Sequence, residues 1–178
     1  MTAGLFVGNT LNLIILGFGL LWIGRNQTEI IPATPISDTY GIAGETTQVI
    51  EVVDGDTIVI EGNITIRFIG VDTPETVDPR RPVGCYGKEA SNEVKNLLSG
   101  QTVILQKDVS DKDSYNRILR YIYLPLDNGQ ILFVNDYLVR EGFAKVLTYP
   151  PDIKFDAQFR EAERLAKENK KGLWGKCK

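Results

Sequence analysis

The chain of 178 residues contains no histidine, one methionine and two cysteines. Without histidine there is no Ser-His-Asp or Cys-His nucleophile system, no H-E-x-x-H zinc site and no C₂H₂ finger, so acid and base chemistry falls to carboxylates, Lys, Tyr or Arg. Two cysteines cannot build a Cys₄ site, which leaves a hard cation held by oxygen as the metal compatible with this composition. Neither sign of charge dominates. Lys and Arg number 20 against 23 Asp and Glu, a net charge of −3, which argues against a protein that coats a polyanion by bulk charge. Arg25, Glu29, Asp38 and Glu45 are the ionised side chains before residue 47. The remainder is close to neutral, and any grip on an anion has to come from placement.

The chain divides by composition. From Gly4 to Gly24 it carries no charge and is long enough to cross a hydrocarbon core as a helix, with Trp22 as an interfacial anchor. No Lys or Arg precedes the run and no A-x-A site follows it, which favours a retained anchor over a cleaved secretory signal. Arg25 opposes an exported C-terminus under the positive-inside rule. Residues 25–46 hold two prolines, several Ser and Thr and no amphipathic period, and read as a flexible tether. The expected organisation is an anchor or signal over 1–24, a linker over 25–46 and one folded domain over 47–178.

Within that domain the β-branched runs V-I-E-V-V, T-I-V-I-E and I-T-I-R-F-I-G-V are separated by D-G-D and E-G-N, a three-stranded meander. A proline-rich loop from Thr73 to Gly84 leads into a helix whose Ala90, Val94, Leu97 and Leu98 share a face and which Gly100 stops. Two further strands, T-V-I-L-Q and R-I-L-R-Y-I-Y-L, precede a short helix around N-D-Y-L-V-R-E-G. A charged amphipathic helix from Asp156 to Lys170 turns Phe159, Ala162 and Leu165 or Ala166 inward. Five strands with one helix inserted after the third predict an α+β fold, a small five-stranded OB-type barrel with three helices.

Acids concentrate in two loops. Asp54 and Asp56 flank a glycine, and Asp72 and Glu75 follow a strand that also carries Arg67. If the strands are neighbours, Asp56 and Asp72 meet at one end of the sheet, where carboxylates need a compensating cation such as Ca²⁺. Taken singly, D-G-D-T and D-T-P-E are more often simple turns than sites. Arg67 needs an anionic partner on whichever strand face it occupies, and Arg117 opens a strand after a polar loop. Two guanidiniums beside a carboxylate-held cation would frame a phosphate-sized pocket.

The strings V-V-D-G-D-T, I-R-F-I-G-V-D-T-P-E-T, C-Y-G-K-E-A-S, D-S-Y-N-R-I-L-R-Y-I-Y, L-V-R-E-G-F-A-K-V and K-G-L-W-G closely resemble, in order and spacing, the thermonuclease family of staphylococcal nuclease homologues. The resemblance covers about residues 48–175. It implies a Ca²⁺-dependent phosphodiesterase acting on DNA and RNA, which cleaves the P–O5′ bond and leaves 3′-phosphate ends. On that resemblance Asp56 and Asp72 are carboxylate ligands of the calcium, Thr73 is a carbonyl ligand and Asp54 is an acid behind them. Glu75 orients or deprotonates the attacking water, and Arg67 and Arg117 hold the phosphate. Tyr115, Tyr149, Arg80, Arg81 and Lys88 are expected to touch substrate. The loop Ser114-Tyr115-Asn116 departs from the family pattern while keeping Tyr115 and Arg117.

Cys85 and Cys177 are either a disulfide pinning the C-terminal tail near Trp174 or two unrelated thiols. A bridge would indicate an oxidising compartment and outweigh Arg25. The expected protein is a monomeric nuclease domain held outside the cytoplasm by residues 4–24, or secreted after signal cleavage. The rival is a non-catalytic nucleic-acid-binding OB domain with a structural calcium site.

Overall fold

The computed structural model describes residues 36–76, 80 and 82–178. The apolar run at 4–24, the first part of the tether and Arg81 lie outside the described residues. Among the described residues no helix is long and apolar enough to cross a membrane.

A single helical turn, α1 (Ile36–Thr39), precedes β1 (Glu45–Asp54). Tyr40 and Ile42 pack against the core, and β1 begins before Gln48. The last residues assigned by composition to the tether are therefore folded onto the domain. Their polar surroundings hid two apolar anchors and a β-branched start, Glu45-Thr46-Thr47.

β1 is joined to β2 (Thr57–Ile60) by a tight turn through Gly55 and Asp56, with Asp54 opposite Thr57. β3 (Ile64–Phe68) follows a turn in which Gly62 and Asn63 both take positive φ, a conformation glycine and asparagine tolerate best. The N-terminal half of β1 leaves β2 and pairs instead with β5 (Thr102–Gln106), after register shifts between Val49 and Glu51 and between Val52 and Asp54. Such irregularities let one long strand serve two sides of a barrel. β5 pairs with β6 (Ile118–Pro125), and β6 runs parallel to β3, closing a ring of five strands. This is the expected barrel. Three strands of three residues each had no legible pattern: β4 (Gly70–Asp72), β7 (Ile131–Phe133) beside β6, and β8 (Lys145–Leu147) paired with β4.

Inside lie Val49, Ile58, Ile66, Phe68, Ile104 and Tyr121, each at most 2% exposed. The helices α2 (Gly87–Leu98), α3 (Val134–Arg140) and α4 (Asp156–Glu168) pack on the barrel, and a last turn, α5 (Leu173–Lys176), follows. On α2 the buried apolar side chains are Ala90, Val94 and Leu98, with Leu97 half-buried, and on α4 Phe159, Ala162 and Ala166, with Leu165 half-buried, the faces that the helical period predicts.

Two features fix the break between β3 and β4. Gly70 has φ +77°, and a Cβ there would lie 2.6 Å from a ring carbon of Phe159. The buried Asn135 side chain donates to the Ile69 carbonyl and accepts from the Ile122 amide, each at 2.9 Å, tying that break to β6. Cys85 and Cys177 are joined by a disulfide across a separation of 92 residues. By loop entropy a closure of that length is worth about 4–5 kcal/mol.

Candidate active site

The turn after β1 and the residues after β4 come to one end of the barrel. Asp54 and Asp56 are each 7% exposed and Thr73 is 6% exposed. A carboxylate buried that far must be hydrogen-bonded, and both are. Asp56 accepts at one oxygen from the Thr57 hydroxyl (3.0 Å) and at the other from the Thr73 amide (2.9 Å) and hydroxyl (3.2 Å). Asp54 accepts from the Gly55 amide (2.8 Å) and the Thr76 hydroxyl (2.7 Å). The two acids of D-G-D-T thus hold Thr73 and Thr76 on either side of Glu75.

Arg67 settles the open question of its face: Ile66 and Phe68 point into the core, and Arg67 points the opposite way. The irregular step at Ile69-Gly70 is why simple alternation across Val71 could not decide it. Its side chain is 12% exposed, and Nη1 donates to the carbonyls of Phe68 (2.9 Å) and Val71 (2.8 Å). Nη2 lies 3.1 Å from an oxygen of Asp56 and 3.1 Å from one of Asp72. One nitrogen of the guanidinium therefore bridges the two carboxylates while the other is tied to two carbonyls, an arrangement that lysine with its single nitrogen cannot copy.

Burial, followed by the charge of Asp56, pushes the Asp72 carboxyl above its usual range, against the opposing pull of Arg67 and Lys145. Asp54 is pushed up as well, chiefly by burial, although hydrogen bonds from Thr76 and Gly55 oppose it. Both shifts mark carboxylates drawn out of water, with the like charge of Asp56 adding to the effect.

Two clefts meet here. One of about 480 Å³ is lined by Asp54, Asp56, Thr73 and Glu75, and one of about 540 Å³ by Tyr115, Leu147 and Tyr149; Arg67, Asp72 and Arg117 line both. Glu75 accepts a hydrogen bond from the Thr76 amide at 3.0 Å. Arg117 is placed by Asp113: one carboxylate oxygen accepts from Arg117 Nε at 2.7 Å, and the other from the amides of Tyr115 and Arg117 at 2.9 Å. Asn116, at φ +65°, completes that turn. Burial would raise the Asp113 carboxyl, but the donors of Arg117 and Tyr115 outweigh it and hold it below the usual value. Tyr115 and Tyr149 are 80% and 68% exposed, and the Tyr115 ring lies 5.4 Å from the Arg117 guanidinium carbon.

Arg80 and Lys88 are exposed and are not among the residues that line these two clefts. Asp113, Thr76 and Lys145 escaped the sequence reading. The spacing D-x-x-x-R could have revealed Asp113, whereas Lys145 reaches the site only because β8 pairs with β4, placing it opposite Asp72.

The donor set suits a hard cation. Asp56 and Asp72 each place a carboxylate oxygen 3.1 Å from one Arg67 nitrogen, and carboxylate oxygens that converge on one positive charge are the ligands a hard cation takes. Among the described residues no group of three or more acidic or cysteine side chains is arranged to hold a metal ion by itself. A cation here would keep positions open for water or substrate oxygens.

A family model described as staphylococcal nuclease homologue matches residues 65–176. The chain is 42% identical over 133 residues to a thermonuclease of Staphylococcus hyicus, covering 73% of this chain and 76% of that protein. It is 41% identical over 136 residues to a thermonuclease of Staphylococcus intermedius, covering 75% and 78%. With the endonuclease YncB of Bacillus subtilis it shares 37% identity over 156 residues, covering 85% and 71%.

Proposed function

The chain belongs to the staphylococcal nuclease homologues, and from that premise we propose that it is a Ca²⁺-dependent nuclease that hydrolyses phosphodiester bonds of DNA and RNA at P–O5′, leaving 3′-phosphate ends. The observation that carries this reading is the Arg67 guanidinium bridging Asp56 and Asp72 at the junction of two clefts that Arg117 also lines.

In this reading Asp56, Asp72 and the Thr73 carbonyl hold the calcium, and Asp54 supports them through Thr76 and Gly55. Bound there, the ion supplies positive charge against the phosphoryl oxygens and a coordination position for water. Arg67 and Arg117 bind the scissile phosphate and offset the charge that grows on its non-bridging oxygens. Asp113 holds Arg117 by Nε and so fixes the direction of the guanidinium. Glu75 takes a proton from the attacking water, the role a histidine-free chain must give to a carboxylate. Tyr115 and Tyr149, exposed at the rim of the larger cleft, offer ring faces to the bases on either side of the cut. The protein works as a monomer in an oxidising compartment outside the cytoplasm. The Cys85–Cys177 bridge and the absence of a free cysteine support that location.

The test is the chemistry of the ends. A 5′-labelled single-stranded oligonucleotide digested in Ca²⁺ is expected to give fragments whose 3′ ends are phosphorylated, and Glu75→Gln is expected to remove the cutting. Fragments with 3′-hydroxyl ends would refute the bond assignment. Binding without cutting would leave a nucleic-acid-binding OB domain.

A further inference from the structure

We propose that the Cys85–Cys177 disulfide is a positioning element of the active site, tying the turn that backs Glu75 to the C-terminal turn beside Lys145, the residue opposite Asp72, so that turnover depends on the bridge being formed. The inference rests on the roles given to Glu75 and Asp72 above.

Glu75 is held from two sides. Upstream and just downstream, Asp56 holds Thr73 and Asp54 holds Thr76. The other side is the turn that opens α2. There the Gly84 amide donates to the Glu75 carbonyl at 2.8 Å, and the Gly87 amide donates to the Gly84 carbonyl at 2.9 Å. The approach is close: a Cβ at Gly84 would lie 2.8 Å from Pro74 Cβ, and one at Gly87 would lie 2.8 Å from the Pro74 carbonyl oxygen. Cys85 sits between those two glycines and is exposed. Its backbone is one residue from the amide that fixes Glu75.

The other half of the bridge holds the opposite wall. The Cys177 amide donates to the Leu173 carbonyl and the Leu173 amide to the Gly142 carbonyl, both at 2.9 Å. Leu173 is buried, and the adjacent Trp174 ring lies 4.4 Å from Lys167 Nζ and 5.9 Å from Lys145 Nζ. Lys145 stands opposite Asp72 in the β4–β8 pair. One covalent link therefore joins the turn under Glu75 to the terminal segment whose Trp174 ring faces the Lys145 ammonium. Both segments are irregular or short: the turn has Tyr86 at φ +67°, α5 is 4 residues long, and β4 and β8 are 3 residues each. Elements of that size hold their geometry through tertiary constraints rather than their own hydrogen bonds. A misplacement of about 1 Å at a reacting group can cost roughly 10²-fold in rate.

Breaking the link needs a two-electron reductant. A dithiol donates two electrons and two protons, the S–S bond opens to two thiols, and the dithiol becomes its own cyclic disulfide. The exposure of Cys85 gives the reductant a route of attack.

The experiment uses the full chain. kcat and KM on single-stranded DNA in saturating Ca²⁺ are compared for the oxidised protein, the dithiothreitol-reduced and alkylated protein, and the Cys85→Ser/Cys177→Ser variant. Folding is followed by circular dichroism, and each assay runs below the unfolding midpoint. We expect kcat to fall at least tenfold with KM within twofold, in the reduced protein and the variant alike. Dithiothreitol should leave the variant unchanged, and reoxidation of unalkylated protein should restore turnover. The measurement is repeated in sucrose, which favours the folded state without rejoining the sulfurs. A low kcat that persists there supports positioning. Recovery in sucrose to the oxidised value, or a folded reduced protein with kcat within twofold, would overturn the proposal and leave the bridge a stabiliser. An oxidised chain that cuts nothing would instead refute the nuclease reading on which it rests.

Discussion

Replacing Arg67 by lysine keeps the charge and removes the fork, which isolates what the guanidinium does. Its two terminal nitrogens serve four acceptors: the Phe68 and Val71 carbonyls and the Asp56 and Asp72 carboxylates. A lysine brings its donors from one nitrogen on a shorter reach and cannot span acceptors on three separate backbone stretches. At least two of the contacts are lost. At roughly 1.5 kcal/mol for each bond to a charged, mostly buried group, Arg67→Lys should cost about 3 kcal/mol of stability. Urea unfolding followed by far-ultraviolet circular dichroism should show a lower midpoint with an unchanged slope. Turnover should fall further than stability alone explains, by roughly 10²–10³, because one of the two guanidinium forks aimed at the developing charge is gone. A midpoint shift worth under about 0.5 kcal/mol by the same assay would refute the bridging geometry, and full activity in a folded Arg67→Lys protein would refute the phosphate role.

Tyr149→Ala should raise KM for single-stranded DNA by about 5- to 150-fold with kcat nearly unchanged, since a lost base stack is worth roughly 1–3 kcal/mol; a fall in kcat alone would contradict a rim position. Gly70→Ala should destabilise by roughly 2 kcal/mol or more, because the residue sits at φ +77° and its Cβ would meet the Phe159 ring at 2.6 Å. Thermal unfolding checks this, and an unshifted midpoint would show that the β3–β4 break does not need glycine. The folded Asp113 carboxyl lies below its unfolded value, so its contribution is present above the unfolded pKa and is lost as pH falls through the folded one. The stability gap between the native protein and Asp113→Asn should therefore shrink on acidification from about pH 6 to pH 3; a gap that is constant or widens would count against the Asp113–Arg117 pairing.

The barrel was legible because its five main strands carry β-branched runs broken by Asp-Gly and Gly-Asn turns, and because the faces of α2 and α4 keep a clean helical period. What escaped depends on pairing between distant segments. β4 and β8 have three residues each, too few for a period, yet they set Lys145 opposite Asp72. The site residues were visible as motifs, and their convergence was inferable only from the meander. The face of Arg67 was undecidable because Gly70 breaks the alternation. Tyr40 and Ile42 were lost in a polar context, although they anchor the start of the domain.

The most direct test is single-stranded DNA hydrolysis by the oxidised full chain, with Ca²⁺ and with a chelator, alongside Glu75→Gln. Calcium-dependent cutting by the native chain, absent with chelator and reduced by several orders of magnitude in a folded Glu75→Gln protein, is the expected result. Cutting that survives chelation, or a Glu75→Gln protein as active as the native one, would contradict the assignment of a cation to Asp56 and Asp72 or of the base to Glu75.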